Sequence, residues 1–501
     1  MKNMNNALLG FVGMLSLGCL LPSRAAEADG WSVPQCGRVE NGILVIDVPA
    51  DRTSIDAQAR KSVDLSAYAN KAIDVSIRCR GTDLAKPDKS WLGFKVMLHY
   101  KDATDGDQWP QASTREGSFD WTTVTFHHEF RGQRPEKGTL SLGLQNSSGR
   151  VEFDLASLKI AESAPLFVVT NGDWRVTYPD AVRAKPQKRG VMLPARAPVE
   201  DDFRTLHEWG ATLARFQMVR GWHAVNGNQD LDEYDSWLNG KLDDLERCLP
   251  WAEKYGVELV VDLHVPPGGR DASSDMNMFY DRKFADHFVK CWRRIAARFK
   301  GRKGIFGYDL INEPTQTRRA LPDCDYWNLQ RRAAEAVRAI DPVTPIVIES
   351  NDWDNPNAFR YLSPLAMDNV IYQVHVYVPH QFTHQGVNGA WTKTKWPDAE
   401  KGWDREYLRR ALKPVLEFRD RHAARIYVGE FSAITWGEGA ENYIADCIAL
   451  FEEYGFDWSY HAFREWDGWS VEHAVTDREQ RTIAPSADNP RKRALLSGFS
   501  R

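Results

Sequence analysis

From residue 31 to residue 163, apolar side chains recur at every second position. Ile73, Val75, Ile77 and Cys79 alternate with polar neighbours, Val124 and Phe126 with Thr123 and Thr125, and Leu140, Leu142 and Leu144 repeat the pattern. Val151, Phe153 and Leu155 form a further run, and Leu158 and Ile160 another. Successive side chains of a strand point to opposite faces, so this alternation predicts strands with one face turned to a core. Gly, Asp, Asn and Ser turns separate the runs and no helical period interrupts them. An antiparallel, jelly-roll-like β-sandwich is expected over 31–165.

Beyond Gly172 the period changes. Short apolar runs at 190–194, 212–219, 257–264, 305–312, 345–349, 369–377, 426–430 and 456–463 alternate with helical patterns. Leu238, Leu242, Leu245 and Leu249 make one helical stripe, and Phe284, Phe288, Trp292, Ile295 and Phe299 make another. Strand and helix alternating eight times predicts a (β/α)8 TIM barrel over 172–501. An open doubly wound sheet would carry a Gly-rich phosphate turn after its first strand, and Gly190-Val191-Met192-Leu193-Pro194 offers none.

The 501 residues suit two domains, and 43% hydrophobic with 27% charged residues is an ordinary globular mixture. A net charge of -5 without a basic run excludes nucleic acid and anionic lipid as natural partners. The 19 tryptophans exceed what a core needs and suit the C–H faces of sugar rings. Lys2, the apolar run 7–21 and the small residues Ser23, Ala25, Ala26 and Ala28 read as an export signal over 1–28, giving a secreted or periplasmic protein. A retained membrane anchor is disfavoured by the shortness of the run, and a lipid anchor on Cys19 is a third reading. Of the remaining cysteines, Cys36 and Cys79 are the first pair to test for a disulfide, whereas Cys248, Cys291, Cys324 and Cys447 read as buried small hydrophobes.

Active sites of such barrels lie at the C-terminal ends of the strands. Arg215 sits on the second predicted strand, and the third ends in Asp262-Leu263-His264. The fourth ends in Asn312-Glu313-Pro314, the sixth in His375-Val376-Tyr377 and the seventh in Gly429-Glu430-Phe431. Phe463, Trp466 and Trp469 crowd the end of the eighth. With Tyr308-Asp309-Leu310-Ile311-Asn312-Glu313-Pro314 the chain resembles glycoside hydrolase family 5, the cellulase family of clan A, over residues 190–469. The resemblance implies a retaining enzyme with Glu313 as acid/base and Glu430 as nucleophile. It places Arg215, His264, Asn312, His375 and Tyr377 around the sugar. Retention needs two carboxyl groups about 5–5.5 Å apart, one protonated and one ionised. Arg215 is expected beside Glu430, and the Tyr377 hydroxyl on the same carboxylate oxygen. Asn312 is expected to bond the sugar 2-hydroxyl, and His264 and His375 to bond sugar hydroxyls and one another's neighbours. The departure is at strand eight, where His461 or Phe463 stands at the expected tryptophan and Trp466 is the candidate replacement from the following loop.

Asp262 and Asp309 read as structural, and Glu349 as the reserve carboxylate. Trp222, Trp353, Trp391, Trp396 and Trp403 are divided between sugar subsites and loop anchors, and Trp91, Tyr100, Trp109 and Trp121 are candidates for a platform on the sandwich, with Trp121 equally a core residue. A metal-dependent hydrolase would need ligands such as His-x-His on the first strand, so no metal and no cofactor is expected. The expected activity is an endo-β-1,4-glucanase acting as a monomer on polysaccharide or oligosaccharide. A β-mannanase or an exo-acting β-glucosidase shares the constellation. The alternative of another class is a non-catalytic glycan-binding protein on a degenerate barrel, which the presence of both glutamates disfavours.

Overall fold

The computed structural model describes residues 30–500, except 52–54, 90, 103–105, 131–132, 167–171, 222–226, 388 and 390. The expected export segment, with Cys19, and Trp222 lie outside the described residues. Two compact units divide between Ala164 and Pro165. Among the described residues no helix is long and apolar enough to cross a membrane.

The first unit holds β1 (Gly37–Glu40), β2 (Ile43–Val48), β3 (Asp56–Asp64), β4 (Ala72–Leu84), β5 (Gly93–Asp102), β6 (Gly106–Gln108), β7 (Gly117–Glu129), β8 (Lys137–Gln145) and β9 (Gly149–Ser163). They form two antiparallel sheets, ordered β1-β2-β9-β4-β7 and β3-β8-β5-β6. The alternating residues of β4, β7, β8 and β9 meet in one buried cluster, which is what the period of two required. The runs 151–155 and 158–160 belong to a single strand, β9. Its pairing with β4 slips between Ser76 and Arg78, and the alternation breaks there. Cys79 is a free buried thiol, so Cys36 and Cys79, the first pair to test, are not joined. Burial pushes that thiol up to about 11. Tyr100 is buried against His128 and Gln133 and presents no platform. Trp121 is half-buried outside the core, with the guanidinium groups of Arg78 and Arg80 each 5.2 Å from its ring centroid.

The second unit is a closed ring of eight strands, with all neighbours parallel. They are β10 (Arg189–Met192), β11 (Leu213–Gln217), β12 (Glu258–Asp262), β13 (Ile305–Asp309), β14 (Ile346–Glu349), β15 (Val370–Val376), β16 (Arg425–Phe431) and β17 (Asp457–Tyr460). The helices are α1 (Asp180–Arg183), α2 (Glu200–Trp209), α3 (Leu231–Tyr255), α4 (Arg282–Phe299), α5 (Tyr326–Arg338), α6 (His380–Thr383), α7 (Arg405–His422), α8 (Ala440–Tyr454) and α9 (Pro490–Phe499). A hairpin of β18 (His473–Asp477) and β19 (Thr482–Pro485) precedes α9. The leucine stripe of α3 and the aromatic stripe of α4 are buried. The Asp230 side chain caps α3 by accepting from Asp232 and Glu233 amides, and Gly256 in the left-handed conformation ends it.

Leu213, Val260, Phe306, Val347, Ile371 and Tyr427 form a separate apolar cluster on the strands. Two residues further along four of those strands, the same face carries Arg215, Asp262, Glu349 and Gln373. The barrel interior therefore changes from apolar to ionic on the way to the C-terminal ends, which locates the site.

Candidate active site

Arg215 is the hub. It is fully buried, and its Nη1 donates to Glu430 Oε1 at 2.6 Å and its Nε to Asp309 Oδ2 at 2.9 Å. Nη2 donates to Asn312 Oδ1 at 3.0 Å and Glu349 Oε1 at 3.1 Å, and lies 3.3 Å from Asp262 Oδ2. A guanidinium cut off from water needs acceptors and negative charge around its donors, and four carboxyl groups on four strands supply them. Carboxyl groups outnumber cations here. Burial, only partly countered by Arg215, pushes Asp309 up to about 7. Burial, with Asp354 and Asp309 close by, pushes Glu349 well above the usual carboxylate range.

Glu430 is held at both oxygens. Arg215 takes Oε1, and the Tyr377 hydroxyl donates to Oε2 at 2.9 Å. The two therefore grip opposite oxygens rather than the single one expected, which fixes the carboxylate plane. Burial opposes charge on Glu430, but His375, His461, Arg215 and His264 outweigh it and hold this carboxyl well below the usual range.

Glu313 has a left-handed backbone, φ 49°. Its N–H donates to Glu349 Oε2 at 2.5 Å, and His375 Nδ1 lies 2.9 Å from its Oε1. One oxygen of Glu313, one of Glu430 and a His375 ring nitrogen all lie within 4.8 Å of one another. Two carboxyl groups at this spacing suit attack and protonation across one glycosidic bond. His264 Nδ1 lies 2.8 Å from Asp262 Oδ2, and its Nε2 accepts from the Asn312 amide at 3.2 Å. Both histidines thus contact protein groups that line the site.

Arg270, in the loop after β12, carried no sequence signal. It is buried and donates to the carbonyls of Asn312 at 3.1 Å and Glu313 at 2.8 Å. Its guanidinium lies 4.8 Å from the Trp353 ring centroid. Glu349, the reserve carboxylate, holds the backbone of Glu313 and the Arg215 guanidinium. At strand eight it is His461 that enters the site, with Nδ1 2.7 Å from the Tyr377 hydroxyl. Phe463 turns away to pack on Trp209. Trp466 is 40% exposed and meets Trp436 and Trp469 edge-on, so it stands at the rim. Trp469 packs near Tyr377, His384 and His461 and walls the site beside Glu430. Trp396 and Trp403 are core anchors, and Trp391 packs against the Trp436 and Trp469 cluster.

Two groupings, Glu313–His375–Glu430 and Glu349–Asp354–His375, have spacing compatible with a metal ion. Many of their oxygens are already engaged: Arg215, Tyr377, Gln373 and the Glu313 amide take carboxylates of Glu430 and Glu349, and Ser350 takes Oδ1 of Asp354, whose Oδ2 has no hydrogen-bond partner. The arrangement suits proton transfer and nucleophilic attack.

The chain is similar to several known proteins. Endoglucanase C of Acetivibrio thermocellus is 28% identical over 295 residues, which is 52% of this chain and 83% of that enzyme. Cellodextrinase A of Ruminococcus flavefaciens is 24% identical over 245 residues, 47% of this chain and 68% of that protein. Among solved structures, a hyperthermophilic endo-β-1,4-glucanase in complex with substrate matches at a TM-score of 0.49 and 21% identity, covering 62% of this chain and 96% of its own. The family model described as cellulase (glycosyl hydrolase family 5) matches residues 184–467. With more than half of its length in that match, the chain belongs to glycosyl hydrolase family 5 and is an O-glycosyl hydrolase.

Proposed function

We propose that the protein cuts internal β-1,4 bonds of glucan chains with retention, Glu430 attacking the anomeric carbon and Glu313 serving as acid and then base. The observation that carries this is the two-sided grip of Arg215 and Tyr377 on Glu430, with Glu313 within 4.8 Å. Glu430 is kept ionised and aimed. As the C–O bond breaks, Glu430 forms the glycosyl ester, and the Glu313 proton passes to the leaving oxygen. Water then attacks the anomeric carbon, gives a proton back to Glu313 and releases Glu430. Arg215, His264, Asn312, His375 and Tyr377 make up the −1 site, and Trp466 the rim. The endoglucanases among the relatives support glucan as substrate.

Trapping with a 2-deoxy-2-fluoro cellobioside and peptide mass analysis tests the nucleophile. The expected label is on Glu430, and a label elsewhere refutes the assignment. Glu313→Gln is expected to abolish hydrolysis of unactivated substrates in a folded protein. Reducing-sugar release from a polysaccharide panel tests specificity, with a product ladder from β-glucan expected. Activity confined to mannan, or a single small product, rejects the endo-glucanase reading.

We further propose that the sandwich is a glycan-binding module and that the protein is exported. Trp91 and Trp109, 45% and 52% exposed, support the first, with His99 stacked 3.7 Å from Trp109. The charged and apolar run before residue 29 supports the second. Loss of retention on insoluble cellulose in a Trp91→Ala, Trp109→Ala double variant tests the module. N-terminal sequencing of protein from the culture medium tests export.

A further inference from the structure

The residue after β17 in the site is a histidine with a defined set of neighbours. The Nδ1 of His461 lies 2.7 Å from the Tyr377 hydroxyl and 4.0 Å from Glu430 Oε2. Its Nε2 lies 3.5 Å from Glu465 Oε2, and Gln217 Nε2 donates to that same oxygen at 2.7 Å, fixing the carboxylate opposite the ring. The His461 side chain is 14% exposed, and Trp469 packs 5.7 Å from its ring.

Counting protons along this line decides what each group does. The Tyr377 hydroxyl has one hydrogen and two close neighbours. If that hydrogen went to His461, a bare hydroxyl oxygen would face the Glu430 carboxylate at 2.9 Å. For both contacts to be favourable, Tyr377 donates to Glu430 and His461 Nδ1–H donates to Tyr377. The carboxylate of Glu465 asks for a second proton, on Nε2. An imidazolium satisfies all four groups at once.

We propose that His461 is a positioning residue for Glu430, held as an imidazolium between Glu465 and Tyr377 so that the tyrosine hydroxyl can only donate toward the nucleophile. This rests on the reading of Glu430 as nucleophile. The charged and titratable groups that face His461 are Glu430 from β16, Tyr377 from the end of β15, His384 just after α6, Glu465 from its own loop, and Glu313 beyond. Burial works against charge on His461, and the carboxylates of Glu430, Glu465 and Glu313 outweigh it and hold the ring above the ordinary histidine range. A tryptophan at this position would offer a sugar face and no charge. His461 gives instead a cation that favours Glu430 as a carboxylate, both before attack and when it leaves the glycosyl ester.

His461→Gln keeps an N–H to offer Tyr377 and removes the charge, and Glu465→Gln removes the anion that keeps the charge in place. In His461→Gln, the acidic limb of the kcat/KM profile is expected to move up by about one pH unit, since a cation 4 Å from a carboxyl typically lowers it by that much or more. A smaller shift in the same direction is expected in Glu465→Gln. A profile lowered equally at every pH, with its acidic limb unmoved, assigns His461 a packing role and overturns the proposal. Nitrogen-15 NMR of the imidazole in the wild-type protein at pH 6 is independent of whether the variants fold. Protons on both ring nitrogens support the proposal, and an unprotonated Nδ1 overturns it. Fluoro-sugar labelling away from Glu430 would instead strike down the nucleophile assignment, whatever the state of His461.

Discussion

Replacing Arg215 by methionine is the strongest single perturbation of this barrel. The side chain is fully buried with Asp262, Asp309, Glu349 and Glu430 at 2.6–3.3 Å. Removing one member of a buried charge network leaves the others uncompensated, at about 3–5 kcal/mol. At roughly 2 °C per kcal/mol for a unit of this size, the barrel is expected to melt about 6–10 °C lower at neutral pH. The deficit has a definite pH dependence. Without the guanidinium the folded variant binds carboxyl protons that its unfolded chain releases, so its stability rises as pH falls. One such proton held between pH 7 and pH 5 returns up to about 2.7 kcal/mol. Scanning calorimetry of wild type and Arg215→Met at pH 5, 6 and 7 measures this. A deficit under about 1 kcal/mol, or one identical at pH 5 and pH 7, would refute the charge-network account. Arg215→Lys keeps the charge but not the fork, so it is expected to recover part of the stability and little of the hydrolysis.

Arg270→Gln unties the carbonyls of Asn312 and Glu313; kcat is expected to fall by about 10–100-fold with KM nearly constant, because a misplaced acid costs rate more than binding. Steady-state kinetics on a β-glucan oligosaccharide decide it, and an unchanged kcat in a folded variant rejects the role. His384 is driven down to about 3 by burial, with His380 adding to it. It stays neutral in the fold while an unfolded histidine charges near 6.5, so this stability is complete above about pH 6.5 and lost as pH falls, by about 2 kcal/mol at pH 5. His384→Phe should therefore gain about that much on wild type between pH 7 and pH 5, and parallel urea-denaturation curves would contradict it. Gly190→Ala puts a Cβ 1.9 Å from the Leu213 carbonyl oxygen; loss of soluble folded protein is expected, read by circular dichroism, and a normal melting curve would count against so tight an approach of β10 to β11.

The barrel was legible in the sequence because its strands are short apolar runs between amphipathic helices. Each of the eight expected runs contains or overlaps an observed strand. The sandwich was partly legible. Its alternating strands stood out, whereas β3 and β5 carry charged residues such as Arg60, Lys61 and Lys95 that blur the period. In the site, residues that end strands announced themselves, since several polar side chains stand in order at the ends of successive apolar runs, with Asn312-Glu313-Pro314 among them. Arg270 and Glu465 did not. They sit in loops, and only the closed fold brings one under Glu313 and the other beside His461. The opposite-oxygen grip on Glu430 was equally out of reach, because a residue's position on a strand does not say which oxygen it meets. Whether Cys36 and Cys79 pair was not legible either: Cys79 follows the inward period of β4 and spends its thiol on core packing.

The left-handed backbone of Glu313 sets a direction for how such a protein can change. A non-glycine residue in that conformation costs roughly 1–2 kcal/mol, which glycine avoids and asparagine lessens. Every copy of the chain carries that cost to keep the Glu313 carboxyl in position beside His375. Mutation from the glutamate codon to a glycine codon is expected to end hydrolysis, while Arg215, Asn312 and Tyr377 keep their places around Glu430. On backbone grounds glycine is the favoured residue at this position, so stability does not protect the Glu313 carboxyl and selection for turnover must. Comparing melting temperatures of Glu313→Gly and Glu313→Ala tests the gradient, with glycine expected to be the higher and the reverse order removing it.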